Sequence, residues 1–393
     1  MKTVLFLFHV SSIGGGSYCL LNILKEIDRT SLRPIVLLKN EGPLADEIRK
    51  LDIPVFFLSS LTQVPYNRSL FNISSIKAYA CIKSSLENFS AWLKDKTIDI
   101  VYINTMMLYP YLKVAKQLGK KTVIHIRECW PENEHRNQLR WAQNAIEKFA
   151  DHIVAINQRS ASIVSSLKYK TTIVYDWIDF SERYEYMPFD EIFGEDCSKL
   201  KVYLFTGGVV TIKGGLVVAN TFINKVKDKN ARLLMLGVDT DIVYKGLRGL
   251  IRRFLSMFGI YSRSDQLRRL VQTDERIRCI PATYKIKHLI EQSYCMLSYF
   301  LIPHANLALA ECLILKTPVV AADTSEAVEY AGNTRLNAFF KLNDASDFAE
   351  KVFYLEQNYE KEKNIVEVLS EKVEEKFGRE SNSSKINSLL SKL

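Results

Sequence analysis

The sequence predicts a doubly wound α/β protein made of two successive parallel-sheet units. Apolar, β-branched runs alternate with helical patterns along the chain. The alternation breaks once, at the polar and aromatic stretch SERYEYMPFDEIFGEDCSK (181–199), and then restarts. A chain of 393 residues, 47% hydrophobic and 25% charged, can bury two such cores. The expected units are 1–180 and 181–393, with a charged helical tail from Asp347 onward in the second.

In the first unit, strands are expected at 3–10, 34–39, 55–58, 98–103, 122–126, 152–156 and 172–175. The opening run MKTVLFLFHV is too short for a secretory signal, contains His9, and leads into SSIGGGS without a small-x-small cleavage pattern. It therefore reads as a buried first strand. A helix over about 17–28 follows directly on Gly14, Gly15 and Gly16. In the second unit, strands are expected at 202–206, 232–236, 277–280, 295–298, 318–322 and 338–341. Ligands of such folds sit outside the carboxyl ends of the strands, so two facing units predict a cleft between them.

Composition narrows the function classes. No stretch reaches the eighteen or so apolar residues of a membrane span. The seven cysteines are spread singly, with no C-x-x-C pair and no His cluster at metal-ligand spacing, so a reduced, cytoplasmic setting is expected. The formal charge of +9 is concentrated at 245–269, where Lys245, Arg248, Arg252, Arg253, Arg263, Arg268 and Arg269 face one acid, Asp265. Leu247, Leu250, Ile251, Phe254, Leu255 and Phe258 recur there at helical spacing. Either this is an interfacial helix on anionic lipid, or its apolar face packs on its own domain. Nucleic acid is not expected, because no binding motif accompanies the charge.

Three places could carry chemistry. Gly14, Gly15 and Gly16 join a strand to a helix, where backbone N–H groups can approach a phosphate or sugar or, alternatively, the glycines make only a tight turn; the spacing fits neither dinucleotide nor P-loop patterns. In FTGGVVTIKGG, Gly207 and Gly208 end a strand and Lys213 stands at the next helix start, which makes a pyrophosphate site or, alternatively, a solvated lysine before a turn. In LSYFLIPHANLALAECLILKTPVVAADTSEAVEYAG, Asn306 can cap a helix to about Leu315, which aims the N–H groups of Asn306, Leu307 and Ala308 at an anion. Glu311 lies on the same apolar helix and needs a partner, either a ribose diol or a buried arginine.

ECLILKTPVVAAD is similar to the E-A-x-x-x-G-x-P-V-V-A run of the retaining glycosyltransferases of family four (glycosyl transferases group 1), which include bacterial surface-polysaccharide enzymes; Glu311, Pro318 and Glu329 are in register. FTGGVVTIKGG resembles that family's Gly-Arg turn and Lys-Gly helix start, and ADHIVAINQ and YDWID resemble two further landmarks. The resemblance covers nearly the whole chain and implies the GT-B fold, with two Rossmann-like domains. It also implies metal-independent transfer of a hexosyl group from a nucleotide-diphosphate sugar, with retention, to a glycan or lipid-linked glycan acceptor. By the same resemblance Lys213 holds the donor pyrophosphate, Glu311 binds the ribose, the 306–308 amides meet the phosphates, and Gly15 and Gly16 line the donor and acceptor side.

The sequence departs from the family pattern at three points. Pro303 stands eight residues before Glu311, where the family's first glutamate would be. The arginine of the Gly-Arg turn falls on Gly208. The usual histidine aligns with Arg127 in HIRECWP, with His125 two residues earlier, so Arg127 or His125 is expected to contact the sugar or leaving group. Two other functions share the architecture: a nucleotide-sugar 2-epimerase, and a catalytically silent partner of another transferase.

Overall fold

The computed structural model describes residues 1–12, 14–65, 73–130, 136–178, 186–240, 246–283 and 286–393, with Ile73, Ser74, Arg136, Leu247 and Arg248 described by backbone alone. The chain divides into two compact units, Met1–Asp179 with Phe377–Leu393, and Phe180–Lys376.

The first unit holds a parallel sheet of β1 (Lys2–Leu7), β2 (Leu32–Leu38), β3 (Val55–Phe57), β4 (Ile100–Ile103), β5 (Lys121–Ile126), β6 (His152–Ala155) and β7 (Thr171–Ile173), in the order β3-β2-β1-β4-β5-β6-β7. Every described strand expected from the sequence is present, with ends moved by three residues at most. The strands are nearly continuous apolar runs because helices cover both faces of the sheet. Alternate residues divide accordingly: Leu5, Leu7, Val101 and Ile103 enter one core, and Val4, Phe6, Ile100 and Tyr102 the other. Parallel pairing of Val4–Leu7 with Ile100–Ile103 makes the β1/β4 seam the point where the strand order reverses.

The second unit repeats the arrangement with β8 (Lys201–Phe205), β9 (Ala231–Leu236), β10 (Ile277–Ile280), β11 (Cys295–Ser298), β12 (Val319–Asp323) and β13 (Phe339–Lys341), in the order β10-β9-β8-β11-β12-β13. Its reversal point is the β8/β11 seam. Two Rossmann-like parallel sheets are therefore present, as the sequence predicts.

The tail differs from the expected partition. It is helical, as Ala345–Gln357, Tyr359–Phe377 and Arg379–Lys392, but the last helix belongs to the first unit. Its Ile386 and Leu390 are buried in the core that contains Val4 and Phe6. Asn382 Oδ1 accepts the Tyr175 N–H at 3.1 Å, and Asn387 bonds both the Asp28 N–H and the Glu26 carbonyl. A polar helix of low amphipathicity gives no periodic clue to the surface it will cover. Of the stretch read as the join, 181–185 lies outside the described residues, and Phe189–Phe193 forms a short helix ended by Gly194 at φ 72°.

Candidate functional site

In an open parallel sheet the reversal point leaves a crevice at the carboxyl ends of the two strands. In the second unit the loops leaving β8 and β11 carry the two motifs singled out from the sequence, so topology brings together residues about a hundred positions apart.

The loop after β8 is shaped by close packing. A Cβ on Gly207 would lie 2.3 Å from the Phe205 ring and 2.6 Å from Lys213 Cβ, and one on Gly214 would lie 2.3 Å from the Tyr299 ring. Gly208, at φ 58°, has its amide bonded to the Leu236 carbonyl and its Cα against Gly237, itself at φ 75°. These glycines thus have packing reasons to be glycine. Their effect is to press a 3-10 turn, Thr211–Lys213, against the chain leaving β11, where the Leu301 N–H reaches the Ile212 carbonyl at 2.8 Å.

Lys213 ends that turn with its Nζ 4.2 Å from the centre of the Phe300 ring. Phe300 also meets the His304 ring at 5.4 Å between centres. Burial pushes the Lys213 ammonium down to about 8. Burial, and secondarily the Lys213 charge, hold His304 at about 3, so its imidazole is neutral. Lys213 has no carboxylate within ion-pair distance among the described residues, and its side chain is half-buried. A half-buried cation with no counter-ion among the described residues is suited to binding an anion.

The helix Leu307–Ile314 begins as the sequence predicts. Asn306 caps it, its Oδ1 accepting the Leu309 N–H at 3.2 Å and its Nδ2 donating to Ser298 Oγ at 2.9 Å, which ties the helix start to the end of β11. The cap takes the Leu309 N–H and leaves those of Leu307 and Ala308 unpaired by it. Glu311 is buried one turn further on, and desolvation raises its carboxyl to about 7 against the lowering effect of Lys287. No arginine pairs with it among the described residues; the nearby cation is a lysine from the neighbouring helix Ile286–Gln292.

In the first unit, Gly14 caps the helix Gly15–Lys25 without a side chain. A Cβ on Gly14 or Gly15 would meet nothing within 4 Å, so no packing demands glycine there, while Gly16 lies against Phe8. Arg127 follows β5 and is held on three sides: Nη1 to Asp176 at 2.6 Å, Nε to Asn104 at 3.0 Å and Nη2 to His125 Nδ1 at 3.3 Å. Burial would lower its pKa, but the Asp176 carboxylate outweighs that and keeps it firmly charged. His125 is 1% exposed, accepts from the Tyr102 hydroxyl at 2.7 Å through the same Nδ1, and is kept neutral by burial and then by the Arg127 charge. These bonds make His125 and Arg127 one buried scaffold. They also fix the orientation of the guanidinium at the carboxyl end of β5.

Sequence reasoning passed over Phe300, His304, Lys287, Asp176 and His9. His9 follows β1 with Nδ1 buried and unbonded among the described residues, and burial, then the Lys39 charge, lower it to about 4. A histidine between the first strand and the glycines was the available signal. No group of three or more His, Cys, Asp or Glu able to hold a metal ion occurs among the described residues.

No protein-family model matches the sequence, and no curated protein matches it. Solved structures do. HepE from Anabaena, determined with UDP and glucose and also with UDP-glucose, aligns over 100% of both chains at 18% identity, with TM-scores of 0.75 and 0.74. A glycosyltransferase from Rickettsia africae aligns over 100% of this chain and 98% of its own at 18% identity and a TM-score of 0.68. The lipopolysaccharide outer core galactosyltransferase WaaB, in its apo form, aligns over 100% of both at 16% identity and a TM-score of 0.61. At such identities the likeness speaks for architecture, and with the two sheets described above it shows that this chain has the GT-B fold of these glycosyltransferases.

Proposed function

We propose that the chain is a retaining glycosyltransferase that moves a sugar from a nucleoside-diphosphate donor to a glycan acceptor on a lipid carrier, without a metal ion. The observation that carries the reading is the half-buried Lys213 at the β8/β11 reversal point, against the Phe300 ring and with no carboxylate partner among the described residues, on the loop packed against the segment that leads into the capped helix at Leu307. Departure of a nucleoside diphosphate concentrates negative charge on the leaving phosphate. A preorganised cation and oriented N–H groups stabilise that charge without reorganising, usually the largest catalytic contribution in such chemistry. Lys213 and the Leu307 and Ala308 amides take this role, and Glu311 accepts the ribose hydroxyls. The acceptor hydroxyl attacks from the face the diphosphate leaves. HepE was crystallised with UDP and UDP-glucose, so UDP-sugars are the first donors to test.

Donor consumption with and without a lipid-linked glycan acceptor tests the proposal. Sugar release from the donor only with acceptor present supports transfer. Isomerisation of the donor sugar without acceptor identifies a 2-epimerase, and binding without consumption identifies a silent partner.

A further inference from the structure

The basic segment resolves into two helices, Gly246–Met257 and Arg263–Val271, and the first carries a row of exposed apolar side chains. Phe254 is 60% exposed, Phe258 65%, Leu250 64% and Met257 81%, with Ile251 and Ile260 beside them. At 100° per residue the exposed side chains from Leu250 to Phe258 fall on one broad face. Phe254 and Phe258 pack edge to face at 5.1 Å, so the face is a continuous apolar ridge rather than scattered residues. The acid of the segment is occupied: Asp265 receives Arg252 at 3.2 Å and Arg268 at 3.1 Å. Arg253, Arg263 and Arg269 remain exposed, the last stacked on Tyr261 at 4.2 Å.

We infer that this helix is a membrane-docking element that inserts its Leu250–Phe254–Phe258 ridge into the acyl boundary of an anionic bilayer while the arginines meet the lipid phosphates. Charge selects the occupant. A second copy of this chain would bring the same arginines face to face in a two-fold contact, which repels. An anionic lipid surface supplies apolar depth and negative charge together. The inference deepens the lipid-linked acceptor reading, yet its test reads membrane affinity and not turnover, so either can fail alone.

The test is sedimentation of the full chain with vesicles of phosphatidylglycerol and phosphatidylethanolamine, beside phosphatidylcholine vesicles, at low and high salt. Wild type is expected to sediment with the anionic vesicles. Phe254→Ser with Phe258→Ser should lower the partition coefficient by on the order of a hundredfold, since burial of each ring favours the membrane by at least about tenfold. Arg253→Gln, Arg263→Gln and Arg269→Gln together should lower it by about a hundredfold at low salt and much less at high salt, at about fivefold per charge. Both variants should melt like wild type, because every altered side chain is exposed. Wild type that stays in the supernatant with anionic vesicles overturns the inference, as does undiminished sedimentation of the Phe254→Ser, Phe258→Ser variant. Concentration-dependent dimers abolished by that variant, without vesicle binding, would also overturn it and identify a second copy as the occupant.

Discussion

Glu311→Gln separates the two roles open to this carboxylate. The carboxyl is held at about 7, against 4.5 in an unfolded chain, chiefly by desolvation. Its sign is that of a destabilising anion. Between about pH 4.5 and 7 the folded chain keeps the proton and the unfolded chain has lost it, so stability falls with rising pH at about 1.4 kcal/mol per pH unit. Over that window the loss is about 3 kcal/mol, complete above pH 7. Gln imitates the protonated form, so the variant should be more stable than wild type at pH 8 by up to about 3 kcal/mol and should lack the decline between pH 4.5 and 7. In the proposed donor complex, two ribose hydroxyls donating to the anion would be worth roughly 1.5 to 3 kcal/mol each. Losing both should weaken nucleotide binding by about two to four powers of ten. The assays are urea unfolding at pH 5 and pH 8 and calorimetric titration with UDP. A variant destabilised by 3 kcal/mol or more at pH 8 would mean that Glu311 is the needed counter-ion of a buried cation. Wild-type UDP affinity in a folded variant would refute the ribose role.

Three further outcomes are expected. Lys213→Ala should lower single-turnover transfer by about a hundredfold or more with the fold intact, and a loss of tenfold or less counts against the pyrophosphate role. Because the free Lys213 ammonium titrates near 8, UDP affinity of wild type should fall as the pH rises past that value, and Lys213→Arg, charged throughout, should not show the fall; parallel profiles in titration calorimetry would contradict this. Asp176→Asn leaves the Arg127 guanidinium buried without its anion and should cost about 3 to 5 kcal/mol in urea unfolding, so a loss under 1 kcal/mol would remove the scaffold reading.

The helix Gly246–Met257 shows where sequence and structure divide the work. Its composition and period were plain in the sequence, but whether the apolar face was covered could not be read there, since an interfacial helix and a packed one share the same pattern. Only the fold left Phe254 and Phe258 uncovered.

The strands, the Asn306 cap and the place of Lys213 at a turn were determined by the sequence alone, because hydrophobic period, capping chemistry and glycine all act within a few residues. What lies across the sheet was decided by tertiary structure. Phe300 and His304 come beside Lys213 because parallel pairing sets β11 against β8, and Asp176 reaches Arg127 because β5 and β7 end on the same edge. The enclosure of His125 by Tyr102 and Arg127, and the return of the last helix to the first unit's core, likewise depend on pairings between residues far apart in the chain. Burial then sets the charge of each group: a lysine, a glutamate and a histidine carry no mark in the sequence of the low dielectric that shifts Lys213, Glu311 and His304 away from their ordinary values.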